Sequence, residues 1–267
     1  MTEGSYTNTN FHVRITLNCN LNLNLLICFW MKGLIFCMEK YIGIIVAEIE
    51  ELEAIKSLMY NIEEVHIYNL NIFKGKISNK DCLLVRCGVG KVNASRITQI
   101  LTDNFKLEFI INLGSAGSLN NDLNIGDIVI AKNLVQHDFD VTAFGRDKGY
   151  IPDTGMFFEC DTNLLQRCMS IKINDICIST GIIASGDIFC TDVKMKETIN
   201  KKFRADCVEM EGAAIAQVCH LNNIPFVVVR SISDTPNGNN QVDFNEYLRF
   251  ASKNCGIFTK KLFALLI

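Results

Sequence analysis

The chain has 267 residues, 49% hydrophobic and 21% charged, with 17 Gly against 3 Pro; this mixture excludes disorder and a fibrous repeat and suffices for a large buried core. A formal net charge of −3 with no long Lys/Arg cluster excludes an electrostatic nucleic-acid footprint. Twelve Cys without a CxxC pair are too dilute for a disulfide scaffold. Most sit in apolar runs, as Cys177, Cys190 and Cys219 do, so they are expected to be buried, reduced thiols in a reducing cytosol.

Residues 1–37 differ from the rest: six Asn, only Glu3, Arg14 and Lys32 charged, and an apolar run from Leu25 to Cys37 broken by Lys32. The run is shorter than the roughly 20 residues that cross a bilayer. Three readings stand: a dispensable leader before a start at Met38, an export signal with a poor cleavage site, or a structured extension. The expectation is a leader or extension outside the fold, with a single domain over 38–267, cytoplasmic unless residues 1–37 act as an export signal.

From Tyr41 the pattern is regular. Tyr41–Ala47 reads as an apolar strand, and Glu50–Tyr60 as a helix with Leu52, Ile55 and Met59 on one face. Three β-rich runs fill Val65–Gly88, with turns at 69–71 and 78–81. Ile97, Ile100, Leu101 and Phe105 place a helix over Val92–Phe105, before a buried strand, Phe109–Leu113, that passes into a Gly114–Gly117 loop. Further strands are expected at Asp127–Val135, Ile176–Ala184, Cys207–Met210 and Pro225–Ile232, and helices at 161–170, 192–202, 211–222 and 243–265. Alternating elements and continuous apolar strands such as Phe226–Val229 predict a three-layer α/β/α sandwich around a central mixed sheet.

In such folds chemistry collects where apolar strands end. Four polar clusters stand there: Glu48–Glu51, Gly114–Gly117, Val208–Glu211 and Arg230–Asp234. Taken singly, each has a plain structural reading. Glu50 and Glu51 suit a helix start, the glycines suit turns, and Asp234 suits a cap. Neither glycine group completes GxGxxG or P-loop spacing. Taken together, carboxylates from separate strands can converge on one pocket, and an acid with a base is what cleavage of a glycosidic bond requires. Asp234 and Glu51 fit those roles, and Glu211 can accept hydrogen bonds from paired ribose hydroxyls. The four His, at positions 12, 66, 137 and 220, show no ligand spacing, and His137 reads as a structural loop hydrogen-bonder. No metal or cofactor is expected.

Gly43-Ile44-Ile45, Glu50-Glu51, Gly88-Val89-Gly90-Lys91-Val92, Asn112–Gly117, the DFDVTAFG run of Asp138–Gly145, Ser185-Gly186-Asp187, Val208–Glu211 and Arg230–Asp234 follow one another in order. From about Tyr41 to the C-terminus the chain resembles the 5′-methylthioadenosine/S-adenosylhomocysteine nucleosidases of the nucleoside phosphorylase superfamily. The resemblance implies a nucleoside phosphorylase-like fold and a homodimer whose partner contributes to the active site. The implied reaction is hydrolysis of the N-glycosidic bond of both named nucleosides, and of 5′-deoxyadenosine, releasing adenine in methionine salvage and the recycling of S-adenosylmethionine by-products. It assigns Glu51 to activation of water and Asp234 to protonation of adenine at N7. Glu211 and the Met210 backbone match the ribose binder, Ser115, Glu209 and Arg230 line the water and ribose region, Phe189 stacks on adenine, and the Phe189–Cys190 backbone reads the purine edge. Ser233 and Val141 match further substrate-binding positions. The expected partners are thus a small nucleoside and a second copy of the chain, with no nucleic acid and no stable membrane association.

The alternatives are a purine nucleoside phosphorylase and an aminofutalosine hydrolase. A phosphorylase needs arginine forks for phosphate, but here Asn112 stands where an Arg is expected, and Glu50-Glu51 where a Gly/Arg grip is expected. Three positions depart from the family pattern: Val46 for a small Gly, Glu48 for Met, and Cys190 for an aliphatic residue. Glu48 is the one that bears on the sugar or 5′-substituent pocket.

Overall fold

The structure is a computed structural model that describes residues 39–235 and 244–266, so the leader reading of residues 1–37 lies outside the described residues. Strand β1 (Tyr41–Val46) is buried along its whole length, which requires cover on both faces. Helix α1 (Ile49–Lys56) follows, then the antiparallel strands β2 (Tyr60–Ile67), β3 (Leu70–Ile77) and β4 (Lys80–Arg86). Helix α2 (Lys91–Asn104) leads to β5 (Leu107–Ser118). Next come β6 (Ile128–Gln136), a 3₁₀ turn (Thr142–Phe144), β7 (Phe157–Glu159), α3 (Thr162–Met169), β8 (Ile178–Ser185) and α4 (Val193–Phe203). The chain ends with β9 (Cys207–Glu209), α5 (Gly212–Leu221), β10 (Phe226–Asp234) and α6 (Phe244–Leu265).

One mixed sheet carries all ten strands of the described residues, in the order β10-β6-β8-β9-β5-β1-β4-β3-β2, with β7 beside β6. β10 also pairs with β5, so five strands close into a ring and β1–β4 extend from it. Helix α1 packs with α6 and α2 with α5, which supplies the outer layers of the α/β/α sandwich.

Several boundaries differ from the sequence reading, for physical reasons. The helix expected to reach Tyr60 stops at Lys56; a turn follows, and Tyr60 opens β2, an edge strand whose polar residues are mostly exposed. Gly114–Gly117 is strand, not loop: β5 continues to Ser118 because β10 pairs with it from Ile110 to Gly117. Glycine punctuates a sequence, but here it permits close approach. β7 and the 3₁₀ turn were not predicted, being too short to carry a period. Cys177 is exposed, whereas Cys190 and Cys219 are buried, and the nine cysteines among the described residues are free thiols. His137 is buried in the turn after β6, where its main-chain N–H donates to the Ser185 carbonyl at 3.0 Å, while its Nε2 has no hydrogen-bond partner among the described residues. No helix among the described residues is long and apolar enough to cross a membrane.

The pairing of β5 positions the site. Up to Asn112 its neighbour on one side is β1; from Gly117 it is β9. Between those points the strands part, and such a split opens a crevice beside main-chain groups released from the ladder.

Candidate active site

A cavity of about 470 Å³ fills that crevice, within the roughly 300–1,000 Å³ of small-molecule sites. It is lined from the end of β1 (Ala47, Glu48), from α1 (Glu51), from β5 (Leu113–Gly117), from the segment after β8 (Ile188, Phe189, Cys190), from β9 and its continuation (Val208–Glu211) and from β10 (Arg230, Ser233, Asp234).

Glu51 serves two structures at once. Its Oε2 accepts the N–H groups of Ala47 (2.9 Å) and Glu48 (3.0 Å), closing the first turn of α1 as a capping box. Its Oε1 accepts the Ser115 N–H at 2.9 Å. That N–H lies in the stretch of β5 flanked by neither β1 nor β9. Three main-chain donors therefore hold this buried carboxylate at the cavity wall. Glu51 thus closes the start of α1 and lines the cavity at the same time.

Asp234 ends β10 beyond a register shift between Ile232 and Asp234, which sets Asp234 opposite Gly117. Such a bulge re-aims the side chain that follows it. The residues that follow Thr235 up to 243 lie outside the described ones, and with them the reading of Asp234 as a cap; its Oδ2 accepts from Lys196 Nζ at 2.7 Å, and its Oδ1 accepts from Ser233 Oγ at 3.3 Å.

Between these two carboxylates lies a buried charge cluster. Arg230, almost wholly enclosed, donates from Nε and Nη2 to Glu209 and from Nη2 to Asn112 Oδ1 at 2.6 Å, and its Nη2 stands 3.8 Å from Glu211. Glu209 also accepts from Ser185 Oγ and from the N–H groups of Glu211 and Gly212. Burial works to raise the Glu209 carboxyl, but the guanidinium and these donors bring it below the usual range. Glu211 is different: burial first, then the neighbouring Glu209 charge, push it up to about 8, although it accepts the Gly90 N–H at 2.9 Å. One acid of the pair is thus held charged and the other proton-bearing near neutrality. Glu48 lines the cavity too, raised by burial and then by Glu51 and Glu50.

Of the residues singled out in the sequence, Glu51, Ser115, Phe189, Cys190, Glu209, Met210, Glu211, Arg230, Ser233 and Asp234 all line the cavity. Val141 does not: it precedes the 3₁₀ turn after β6. Phe189 is 51% exposed at the rim, while Cys190 is buried behind it. Among the described residues, no group of three or more His, Cys, Asp or Glu is arranged to hold a metal ion.

The sequence profile of the phosphorylase superfamily matches residues 41–266. The chain belongs to the phosphorylase superfamily. Among its relatives, a 5′-methylthioadenosine/S-adenosylhomocysteine nucleosidase of Staphylococcus haemolyticus is 37% identical over 227 residues, 84% of this chain and 100% of that protein. The solved structure of the nucleosidase of the same name from S. pneumoniae, with a transition-state inhibitor, has a TM-score of 0.81 at 34% identity, covering 85% of this chain and 100% of that one. A futalosine hydrolase of Helicobacter pylori also has a TM-score of 0.81, at 33% identity over 84% of this chain and 97% of that one.

For a member of the phosphorylase superfamily, the environment of Asn112 bears on the choice between phosphate and water. Asn112 is buried and spent on the Ile45 carbonyl and on Arg230, and it does not reach the cavity. Sequence reasoning missed three contributors. Ser185 was read only as a motif letter, and it orients Glu209 and accepts the Ala213 N–H. Gly90 was read as a turn, and it donates to Glu211 across 121 residues of chain. Lys196, one of four lysines in its helix, gave no signal at all.

Proposed function

We propose that this chain hydrolyses the N-glycosidic bond of 5′-methylthioadenosine and S-adenosylhomocysteine, releasing adenine. The observation that carries hydrolysis over phosphorolysis is the charge of the cavity wall. Among the described residues five acidic side chains line it, Glu48, Glu51, Glu209, Glu211 and Asp234, of which Glu211 holds a proton near neutrality; against them stand one lining cation, Arg230, already committed to Glu209 and Asn112, and Lys196 behind Asp234. A phosphate dianion would enter against net negative charge with no free guanidinium fork, whereas water pays no such penalty.

In this reading Glu51 takes a proton from the attacking water, and the water oxygen bonds to C1′ as the bond to N9 breaks. Asp234 gives a proton to N7, so the purine leaves neutral. Glu211, with the Met210 backbone, holds the ribose hydroxyls; Ser115, Glu209 and Arg230 shape the water and ribose side, with Ser233 beside the acid. Phe189 stacks on adenine, and the Phe189–Cys190 backbone reads its edge. Val141 lies off the cavity of a single subunit and belongs to this reading only as a family match. Exposed apolar side chains at the rim, Val89, Ile188 and Phe189, support a homodimer that covers them. The match over 41–266 supports a catalytic unit of 38–267 with residues 1–37 outside it. The free thiols suit a cytoplasmic enzyme of methionine salvage. 5′-Deoxyadenosine shares the same scissile bond and belongs among the substrates.

The test is adenine release from methylthioadenosine by the full chain, with and without phosphate, beside Asp234→Asn and Glu51→Gln. Phosphate-independent release that each substitution lowers by about 10²-fold or more is expected of a general acid and base. Release that needs phosphate and yields a ribose 1-phosphate would make the protein a phosphorylase. The likeness to futalosine hydrolase makes aminofutalosine the comparison substrate.

A further inference from the structure

Lys196 lies in the first turn of α4, yet its side chain is 2% exposed. Its Nζ donates to Asp234 Oδ2 at 2.7 Å and to the Thr235 carbonyl at 3.4 Å. A cation buried at the start of a helix stands against the helix dipole and pays for desolvation, so it persists only because a carboxylate faces it. The position is also awkward for the chemistry. Asp234 must carry a proton to protonate a purine, yet in this contact Lys196 Nζ is the donor and Asp234 Oδ2 the acceptor.

The other groups around the pair do not resolve this. Cys190, after β8, and Cys207, on β9, are thiols raised by burial and stay protonated. Asp192 caps α4 through the Met195 N–H. Asp206 accepts the Ile182 N–H, and Glu209 is paired with Arg230 on β10. Among the described residues two side chains donate to Asp234, the Ser233 hydroxyl at 3.3 Å, which is no acid, and Lys196 Nζ at 2.7 Å, which carries the transferable proton.

We propose that Lys196 is the positioning residue that stores the proton Asp234 delivers. As the neutral purine enters, one N–H proton moves from Nζ to the Asp234 carboxylate, leaving an amine and a carboxylic acid. Asp234 passes that proton to N7 while the C1′–N9 electron pair withdraws onto the purine and water oxygen bonds to C1′. Glu51 holds the proton lost by the water and gives it up to solvent; Lys196 takes one back when adenine leaves. One water is consumed, and no net proton is gained or lost. The inference rests on the reading of Asp234 as the acid, and it makes the acid a two-residue unit.

The test is the pH profile of adenine release for the full chain, Lys196→Met, Lys196→Arg and Asp234→Asn. With its ammonium the native protein keeps its rate into alkaline solution. Lys196→Met must find its proton on Asp234 alone, so its alkaline limb falls early: at least about tenfold slower than native near pH 9, and within about threefold near pH 6. Lys196→Arg keeps the charge, but a guanidinium does not surrender its proton, so it is at least about tenfold slower at every pH while still melting cooperatively. A Lys196→Met profile parallel to the native one, or native rates in Lys196→Arg, overturns the proposal, and so does a Lys196→Met protein faster than native. Should Lys196→Met not fold, Lys196→Gln supplies the same comparison. A native chain that releases no adenine, or an Asp234→Asn protein of native activity, defeats the reading of the site instead, so the two failures are separable.

Discussion

Gly117 and Asp234 sit against one another so tightly that a Cβ on Gly117 would lie 2.9 Å from Asp234 Oδ1. Gly114 bears the same relation to Glu51, whose Oε1 would be 3.0 Å away, with Arg230 Nη1 at 2.9 Å. The two glycines of one strand are thus the floor on which the candidate acid and base rest. Neither has a left-handed φ, so space, not backbone freedom, demands glycine there.

Gly117→Ala is therefore expected to displace Asp234 from its Lys196 contact. Overpacking of this kind costs about 1–3 kcal/mol. Thermal melting should show that modest loss, while adenine release falls far more steeply. Equal activity in the alanine protein would mean that the carboxylate position is not critical.

Arg230→Met leaves Glu209 buried with its principal countercharge removed, and Glu211 without the guanidinium 3.8 Å away. Removing one partner of a buried pair costs about 3–5 kcal/mol. Urea denaturation should report a loss of that order. Adding Glu209→Gln should restore part of it, because the stranded charge is then gone.

Glu211 predicts a direction for stability against pH. Its carboxyl, at about 8 in the fold against an ordinary 4.5, holds a proton that the unfolded chain has released. Stability from this group is therefore full at acid pH and lost as pH rises from about 4.5 to about 8. Glu211→Gln should flatten that part of the melting-temperature profile. A slope unchanged in the variant would assign it to other groups.

Glu48 reaches the cavity, where Met is usual in the family pattern. A carboxylate there suits the ammonium of a homocysteine arm better than a methylthio group. Glu48→Met should raise the KM for S-adenosylhomocysteine several-fold relative to that for methylthioadenosine, with kcat little changed. Parallel changes on both substrates would place the carboxylate away from the 5′ arm.

The order of elements was legible from Tyr41 onward, because buried strands and amphipathic helices write their period into the chain. Most boundaries fall within two residues of the pattern. Glu51, Asp234, Glu209, Glu211 and Arg230 were legible as polar residues next to apolar runs, and the ordered motifs around them pointed to the family. Local pattern misread Gly114–Gly117 as a loop, because only the pairing with β10 makes that stretch a strand.

What the sequence by itself determined is therefore which elements form and which polar residues stand at their ends. Those follow from period, propensity and residue chemistry within a few neighbours. Only the tertiary structure decided that β5 changes partner from β1 to β9, that the opening receives carboxylates from four segments, and that Lys196, 38 residues before Asp234, closes on it. Burial sets the charge of a carboxyl such as Glu211, and burial is a property of the packed whole.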